Sequence, residues 1–442
     1  MHPAPAPPKL ALLLVFLVVL IDLLGFGMVL PLLPVYTQQI AQRTAPAYVG
    51  ILVAALTVSF SLMQFLFSPL WGRLSDRIGR RPVLLIGLAG STACYTLFAA
   101  AMVQQSLLWL FVSRIGAGVA GATISTAQAY IADVTPPHRR VRGMALIGAA
   151  FGLGFTFGPL LGALALLIGG DAATSPWPGL AAAALSGSAL TLALWKLPES
   201  RSPQTFRAGT RYFDFAALRA AVQVPSVLLL LAASFLGVFA LGNFEATASL
   251  SIHALLESAV GPEVIGRHIL MTFAYIGLVQ ALVQGVLVRR LALSLSEATL
   301  GTIGGVFALA GYVLLALVVS LGMGLAFFLA AATVVVAGVG FLAPAVQSLL
   351  SRRSDPAKLG GIMGVNESLS SLARIAAKGC GVLLFFARPS APFWLAGALM
   401  ALALGLVVAA VRRGQDWQVT LEKASHKGFG HSRAEELAPA DR

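Results

Sequence analysis

Apolar residues fall in twelve long runs separated by short polar intervals, and each run is long enough to cross a bilayer as a helix. The runs cover roughly 10–35, 48–70, 83–103, 107–133, 142–168, 177–197, 226–252, 265–288, 298–318, 321–349, 359–386 and 391–411. The intervals alternate in charge. Those after runs 2, 4, 6, 8 and 10 carry Arg73, Arg77, Arg80 and Arg81; Arg139, Arg140 and Arg142; Arg201, Arg207, Arg211 and Arg219; Arg289 and Arg290; and Arg352, Arg353 and Lys358. The other intervals offer little beyond Arg43 and Arg388. Positively charged loops stay on the cytoplasmic side, so this alternation predicts that both ends are cytoplasmic.

The longest polar interval, 198–225, divides the chain into an N-terminal half (1–197) and a C-terminal half (226–411) of six helices each. Its aromatic and basic stretch Arg211-Tyr212-Phe213-Asp214-Phe215 suits a membrane surface. A polar tail, 412–442, reads as disordered. The expected fold is an all-α polytopic membrane protein in two pseudo-symmetric halves. Such parallel repeats place a transport site between the halves, near the midplane.

Composition agrees with this pattern: 58% of the residues are hydrophobic and 11% charged, against about 25% charged in soluble domains. The formal net charge of +13 is accounted for by topogenic arginines, and nothing in it calls for nucleic acid. Cys94 and Cys380 lie in apolar runs and read as packing residues. The six histidines show no metal-ligand spacing, and no GxxxxGK(S/T) loop is present. These features exclude an ATP-hydrolysing, metal-dependent or cofactor-dependent enzyme. The expected partners are a small-molecule substrate, protons and the bilayer, with the chain acting as a monomer.

Charges inside the apolar runs are the candidate chemistry, because a charge at the bilayer centre costs on the order of 2.5–3.5 kcal/mol even on a lenient scale. Asp22 lies midway along the first run, and Arg114 is the other isolated charge of the first half. Their pairing is the simplest solution, either as a packing ion pair or as a proton switch. Glu245 sits midway along the seventh run. Glu367, Arg374 and Lys378 share one face of the eleventh, at spacings of 7 and 11. Lys378 is consistent with a carboxylated or zwitterionic substrate, or with neutralisation of Glu245 or Glu367. The uncharged polar residues Gln64, Gln128, Asn243, Gln280, Gln284 and Asn366, with Phe26, Phe151 and Phe244, are candidates for a sparsely polar cavity. Each of them serves equally as helix-to-helix glue.

The interval Gly72-Arg73-Leu74-Ser75-Asp76-Arg77-Ile78-Gly79-Arg80-Arg81-Pro82 is charged and short. Gly72 and Gly79 permit a tight hairpin, and Pro82 suits the first turn of the next helix. Its echo, Gly285-Val286-Leu287-Val288-Arg289-Arg290, places Arg289 opposite Asp76, so the second copy lacks the carboxylate. The fifth run carries Gly154, Gly158, Pro159 and Gly162; the glycines, spaced by four, lie on one helix face, and Pro159 favours a kink.

Taken together, the twelve runs, the six-plus-six echo and the loop GRLSDRIGRRP resemble the major facilitator superfamily. The first run (Ile21 to Pro34), Arg114 with Gly116, Gly118 and Gly121, and the glycine–proline stretch Gly154 to Gly162 are similar to the proton-coupled drug exporters. Ala129-Tyr130-Ile131-Ala132-Asp133-Val134-Thr135-Pro136-Pro137, followed by Arg139-Arg140, is similar to the tetracycline efflux proteins. The resemblance implies alternating access with proton antiport through Asp22 and Arg114. Glu245 and Glu367 are further coupling candidates. It also implies a cytoplasmic latch, in which Asp76 meets the start of the eleventh helix at Leu359-Gly360-Gly361 and Asp133 meets Arg77. The expected activity is export of small amphipathic organic molecules across a bacterial-type inner membrane. Uptake or uncoupled transport by the same fold remains open, as does a non-transporting sensor or scaffold.

Overall fold

The computed structural model describes residues 8–135, 140–168, 175–200, 224–257, 259–291, 294–354 and 359–414. Most of the 198–225 interval, with its aromatic and basic stretch, lies outside the described residues, and so does the tail from 415. Among the described residues, twelve helices are long and apolar enough to span a membrane. They are α1 (Leu10–Thr44), α2 (Pro46–Ile78), α3 (Arg80–Gln104), α4 (Leu107–Val134), α5 (Arg140–Leu166), α6 (Trp177–Lys196), α7 (Pro225–Leu256), α8 (Val264–Leu291), α9 (Glu297–Ser320), α10 (Leu325–Arg353), α11 (Leu359–Ala387) and α12 (Ala391–Arg413). An even number of crossings puts the start of α1 and the end of α12 on one face, called here the terminal face; the other is the far face. Leu164, Phe307, Leu314 and Leu402 are among the apolar side chains left exposed, as expected of a surface whose solvent is lipid.

Several spans are irregular. In α1, Pro31 and Pro34 accompany one tight turn, Leu30–Leu32. α4 breaks after Gly121, and α2 takes up the freed carbonyls: Trp71 Nε1 donates to Val119 O at 2.7 Å and Gln64 Nε2 to Gly121 O at 3.2 Å. In lipid such groups must be satisfied within the protein. α8 carries a π-helical turn over Val283–Val288, at the Gly285 echo.

The hairpin between α2 and α3 differs from the expected loop. α2 remains helical through Gly72 and Asp76 to Ile78, and α3 resumes at Arg80. Gly79 alone makes the turn, at φ 102°, a backbone conformation that favours glycine. Helices can outrun the hydrocarbon layer when charged residues meet the headgroups, so the end of apolarity did not mark the end of helix.

The first six helices pack mainly on one another, and so do the last six. They meet along two seams, α5 against α8 and α2 against α11. Toward the far face one apolar core crosses between them: Met28, Leu32, Tyr36 and Ile40 of α1 belong to the same cluster as Leu250, Leu256, Ile265 and Leu270 of α7 and α8. Toward the terminal face, α1 and α3–α6 keep a separate core containing Leu14, Val18, Leu88, Tyr130 and Ala189. The halves are therefore sealed together at the far face. Within the N-terminal half, α1 and α5 approach closely. A Cβ added to Gly27 would stand 2.5 Å from Gly154 O and 3.1 Å from Gly158 Cα. One added to Gly162 would stand 3.1 Å from Met28 O. The glycine face of α5 is thus turned onto α1, and Phe155 and Thr156 are applied to Gly277 of α8.

Gly27→Leu is expected to lower the melting temperature of the purified protein by roughly 5 °C or more. Gly72→Ala, where an added Cβ meets nothing within 4 Å, is expected to leave it unchanged. A thermal scan of both variants checks the pair.

Candidate functional site

Between the two halves lies a cavity of about 310 Å³. The N-terminal half contributes Asp22, Phe26, Phe60, Ser61, Gln64, Ser91, Tyr95, Phe151 and Phe155, and the C-terminal half contributes Val238, Leu241, Glu245, Arg374 and Lys378. The walls differ in character. On the N-terminal side, Phe26 lies 4.8 Å from Phe60 and 5.9 Å from Phe155 between ring centroids, and Phe151 stacks on Phe155 at 6.4 Å. This aromatic wall offers a flat organic molecule offset and edge-on ring contacts. The C-terminal wall brings one carboxylate and two cations.

Asp22 faces this cavity without a cation in contact. Ser186 Oγ of α6 donates to its Oδ1 at 2.9 Å, and Ser91 of α3 offers a second hydroxyl. The expected Asp22–Arg114 ion pair is not formed. Arg114 is buried behind Tyr95, with its guanidinium 5.6 Å from the Tyr95 ring centroid and 5.4 Å from that of Phe98. Among the described residues, its Nε and Nη2 have no hydrogen-bond partner. Aromatic faces can hold a desolvated guanidinium, so each of the two odd charges found its own solution. Tyr95, within electrostatic range of both, stands between them.

Glu245 lines the opposite wall, and Lys378 interacts with it. The Lys378 hydrogen bond, however, goes to Ser61 Oγ of α2, at 3.0 Å. Arg374 reaches Glu367 at 3.4 Å, and Glu367 is exposed outside the lining. Of the residues expected in the cavity, Phe26, Gln64, Phe151, Arg374 and Lys378 line it. Gln128, Asn243, Phe244, Gln280, Gln284 and Asn366 do not. Asn243 is buried and its side-chain amide donates to Pro392 O at 3.1 Å, tying α7 to α12; Phe244 belongs to the apolar core. Gln128 and Gln284 are exposed, and Asn366 is buried away from the lining. The sequence reading missed Ser91, Tyr95, Ser61, Phe60 and Phe155. Ser91 and Tyr95 carry a usable signal, since a spacing of four places them on one face of α3.

At the terminal face, Arg80 is the hub. Its Nη2 lies 2.8 Å from Asp76 Oδ1 and its Nε 3.1 Å from Asp133 Oδ2, and Nη1 donates to Ser75 Oγ at 2.6 Å. Asp133 thus meets Arg80, whereas Arg77, expected as its partner, points outward. The turn at Gly79 brings Arg80 back over the end of α2, and that geometry selects it. Glu199, just past α6, caps α3: its carboxylate accepts from the backbone N–H of Arg80 at 2.9 Å and of Arg81 at 3.1 Å. A carboxylate at a helix start is favoured by the helix dipole. In the C-terminal half the same place is filled with reversed polarity. Glu297 opens α9, and Arg352 at the end of α10 donates to both its oxygens at 3.0 Å.

A sequence profile of the Major Facilitator Superfamily matches residues 15–378. The chain belongs to the major facilitator superfamily. Among relatives in this superfamily, "Tetracycline resistance protein, class C" of Escherichia coli is 31% identical, covering 91% of this chain and 97% of the relative. "Major facilitator superfamily domain-containing protein 10" of Bos taurus is 32% identical over 89% of each. A crystal structure of the human organic anion transporter MFSD10 (TETRAN) superposes with a TM-score of 0.63 at 26% identity, covering 91% of this chain and all of that one. A D-xylose–proton symporter shares the fold, with a TM-score of 0.68 at 17% identity. As a superfamily member, the chain is a multi-pass membrane transporter and not an enzyme.

Arg80→Gln is expected to destabilise the protein by about 2 kcal/mol, because three acceptors, Asp76, Asp133 and Ser75, lose a charged donor. The solvated Arg77→Gln should cost less than about 0.5 kcal/mol. Denaturation of the two purified variants side by side measures the difference.

Proposed function

We propose that this transporter exports small amphipathic organic molecules in exchange for protons, with the terminal face in the cytoplasm of a bacterial-type cell. The observation that carries this reading is Asp22: a carboxylate on the cavity wall, hydrogen-bonded to a serine and, among the described residues, lacking an ion-pair partner. A carboxylate in that position is balanced most simply by a proton, which it can take up and release as the cavity changes sides. Several features support export of an organic solute. The aromatic wall suits an apolar body, and the volume lies at the lower end of the small-molecule range. Relatives bear the names tetracycline resistance protein and organic anion transporter.

The cycle is alternating access. With the far face sealed by α1, α7 and α8, substrate enters from the terminal side. Rocking of the halves then closes that side and opens the far one, where a proton taken up by Asp22 disfavours substrate and promotes its release. Glu245 on the other wall is a second proton site or a counter-charge to Lys378. The Asp76–Arg80–Asp133 network belongs to the closing of the terminal face, where Asp76 is to be received by the first amides of α11. The glycine face of α5 lets that helix move as one with α1.

Purified protein in vesicles with an imposed pH gradient tests the proposal. Efflux of amphipathic solutes should follow the gradient and fall by an order of magnitude or more in Asp22→Asn, the scale of losing a proton-transfer group. Unchanged flux after the gradient is collapsed, or full coupling in Asp22→Asn, would reject proton exchange at this site.

A further inference from the structure

Lys378 is the buried cation that the proton-exchange reading leaves without a task. Only 8% of it is exposed. Its ammonium has three donors, and its one hydrogen bond among the described residues goes to the neutral hydroxyl of Ser61. Glu245 faces it from α7 without forming an ion pair, and Arg374 stands one turn away on the same helix and the same cavity wall. A buried ammonium with open donors beside a cavity is unusual, because a charge withdrawn from water needs charged or multiple polar partners. The aromatic wall lies across the same space.

We propose that Lys378, assisted by Arg374, is the anion subsite of the cavity, and that it takes the carboxylate of an amphipathic aromatic acid whose ring system rests against Phe26, Phe60 and Phe155. The carboxylate replaces Ser61 at the ammonium, since a hydrogen bond between charged groups is stronger than one to a neutral hydroxyl. Ser61 is on α2 and Lys378 on α11, so their bond straps the two halves at the depth of the cavity. Substrate binding undoes that strap on the seam along which the halves must rock. At the next residue, a Cβ added to Gly379 would stand 3.3 Å from Val58 Cγ2, so α2 and α11 run close together at the depth of the strap. This assignment rests on the transport reading and names the substrate class that the site selects.

Calorimetry on the full-length protein in nanodiscs, with naphthalene-2-carboxylate and its neutral carboxamide as probes, tests the subsite. The wild type should bind the carboxylate more tightly by about tenfold or more, the factor a charged hydrogen bond supplies. Lys378→Gln should abolish the preference and Lys378→Arg should retain it. Ser61→Ala, which removes the competing hydroxyl, should strengthen carboxylate binding and leave carboxamide binding alone. Equal or absent carboxylate binding in the wild type would overturn the subsite, as would a preference that survives Lys378→Gln combined with Arg374→Gln. Unaltered carboxylate affinity in Ser61→Ala would overturn the exchange at the strap. Carboxylate preference without any pH-driven flux would reject proton exchange and leave the subsite standing; pH-driven flux of solutes without that preference does the reverse.

Discussion

A charged side chain in the hydrocarbon layer must be neutralised, paired, enclosed in aromatic rings or turned toward water, and the interior of this protein is arranged by that requirement. Arg114 is enclosed between Tyr95 and Phe98. Asp22 is turned to the cavity and held by Ser186. Lys378 reaches across the seam to Ser61, while Glu245 faces it from α7. None of these charges is placed against lipid, and three of the four lie on one cavity wall or the other. The cavity exists where it does because the two halves bring their costly groups to a common surface. Under the proposed exchange, that cost makes two of these groups responsive: a proton neutralises the Asp22 carboxylate, and an anionic substrate replaces Ser61 at the Lys378 ammonium.

The rest of the architecture supports that surface. The glycine face of α5 lies on Gly27 of α1, which carries Asp22 on the adjacent turn. In the proposed cycle, movement of α5 against α8 is passed to the helix bearing the carboxylate. At the far face a continuous core fixes the halves together, and toward the terminal face they keep separate cores. The Arg80 hub and the Glu297–Arg352 pair fasten each half internally, at equivalent places and with opposite polarity. Each six-helix half is thus braced on its own, as the proposed rocking of the halves requires.

Twelve spans, their order and the family were legible in the sequence, because run length and loop charge are properties of the chain alone. The intramembrane charges were legible as a set for the same reason. Their partners were not. Sequence singles out Asp22 and Arg114 as the isolated charges of the first half, but the position and rotation of α4 decide whether Arg114 meets Asp22 or Tyr95 and Phe98, and no local spacing encodes it. Asn243 and Asn366 looked like cavity residues because a buried amide needs a partner; Asn243 found one in the Pro392 carbonyl. Gly72 looked like a turn because charge begins there, yet the helix continues to Ile78. The preference for Arg80 over Arg77 follows from the single left-handed residue at Gly79, visible only once the turn is built.

Reciprocity offers the most direct test of the central claim, that a proton on Asp22 is exchanged for substrate. If protons drive the solute, the solute must drive protons. Vesicles loaded with a transported amphipathic solute and a pH-sensitive dye, then diluted into solute-free buffer, should acidify inside as the solute leaves, and the acidification should vanish in Asp22→Asn. Solute leaving the wild type with no change in internal pH, or equal acidification in the variant, would contradict the account.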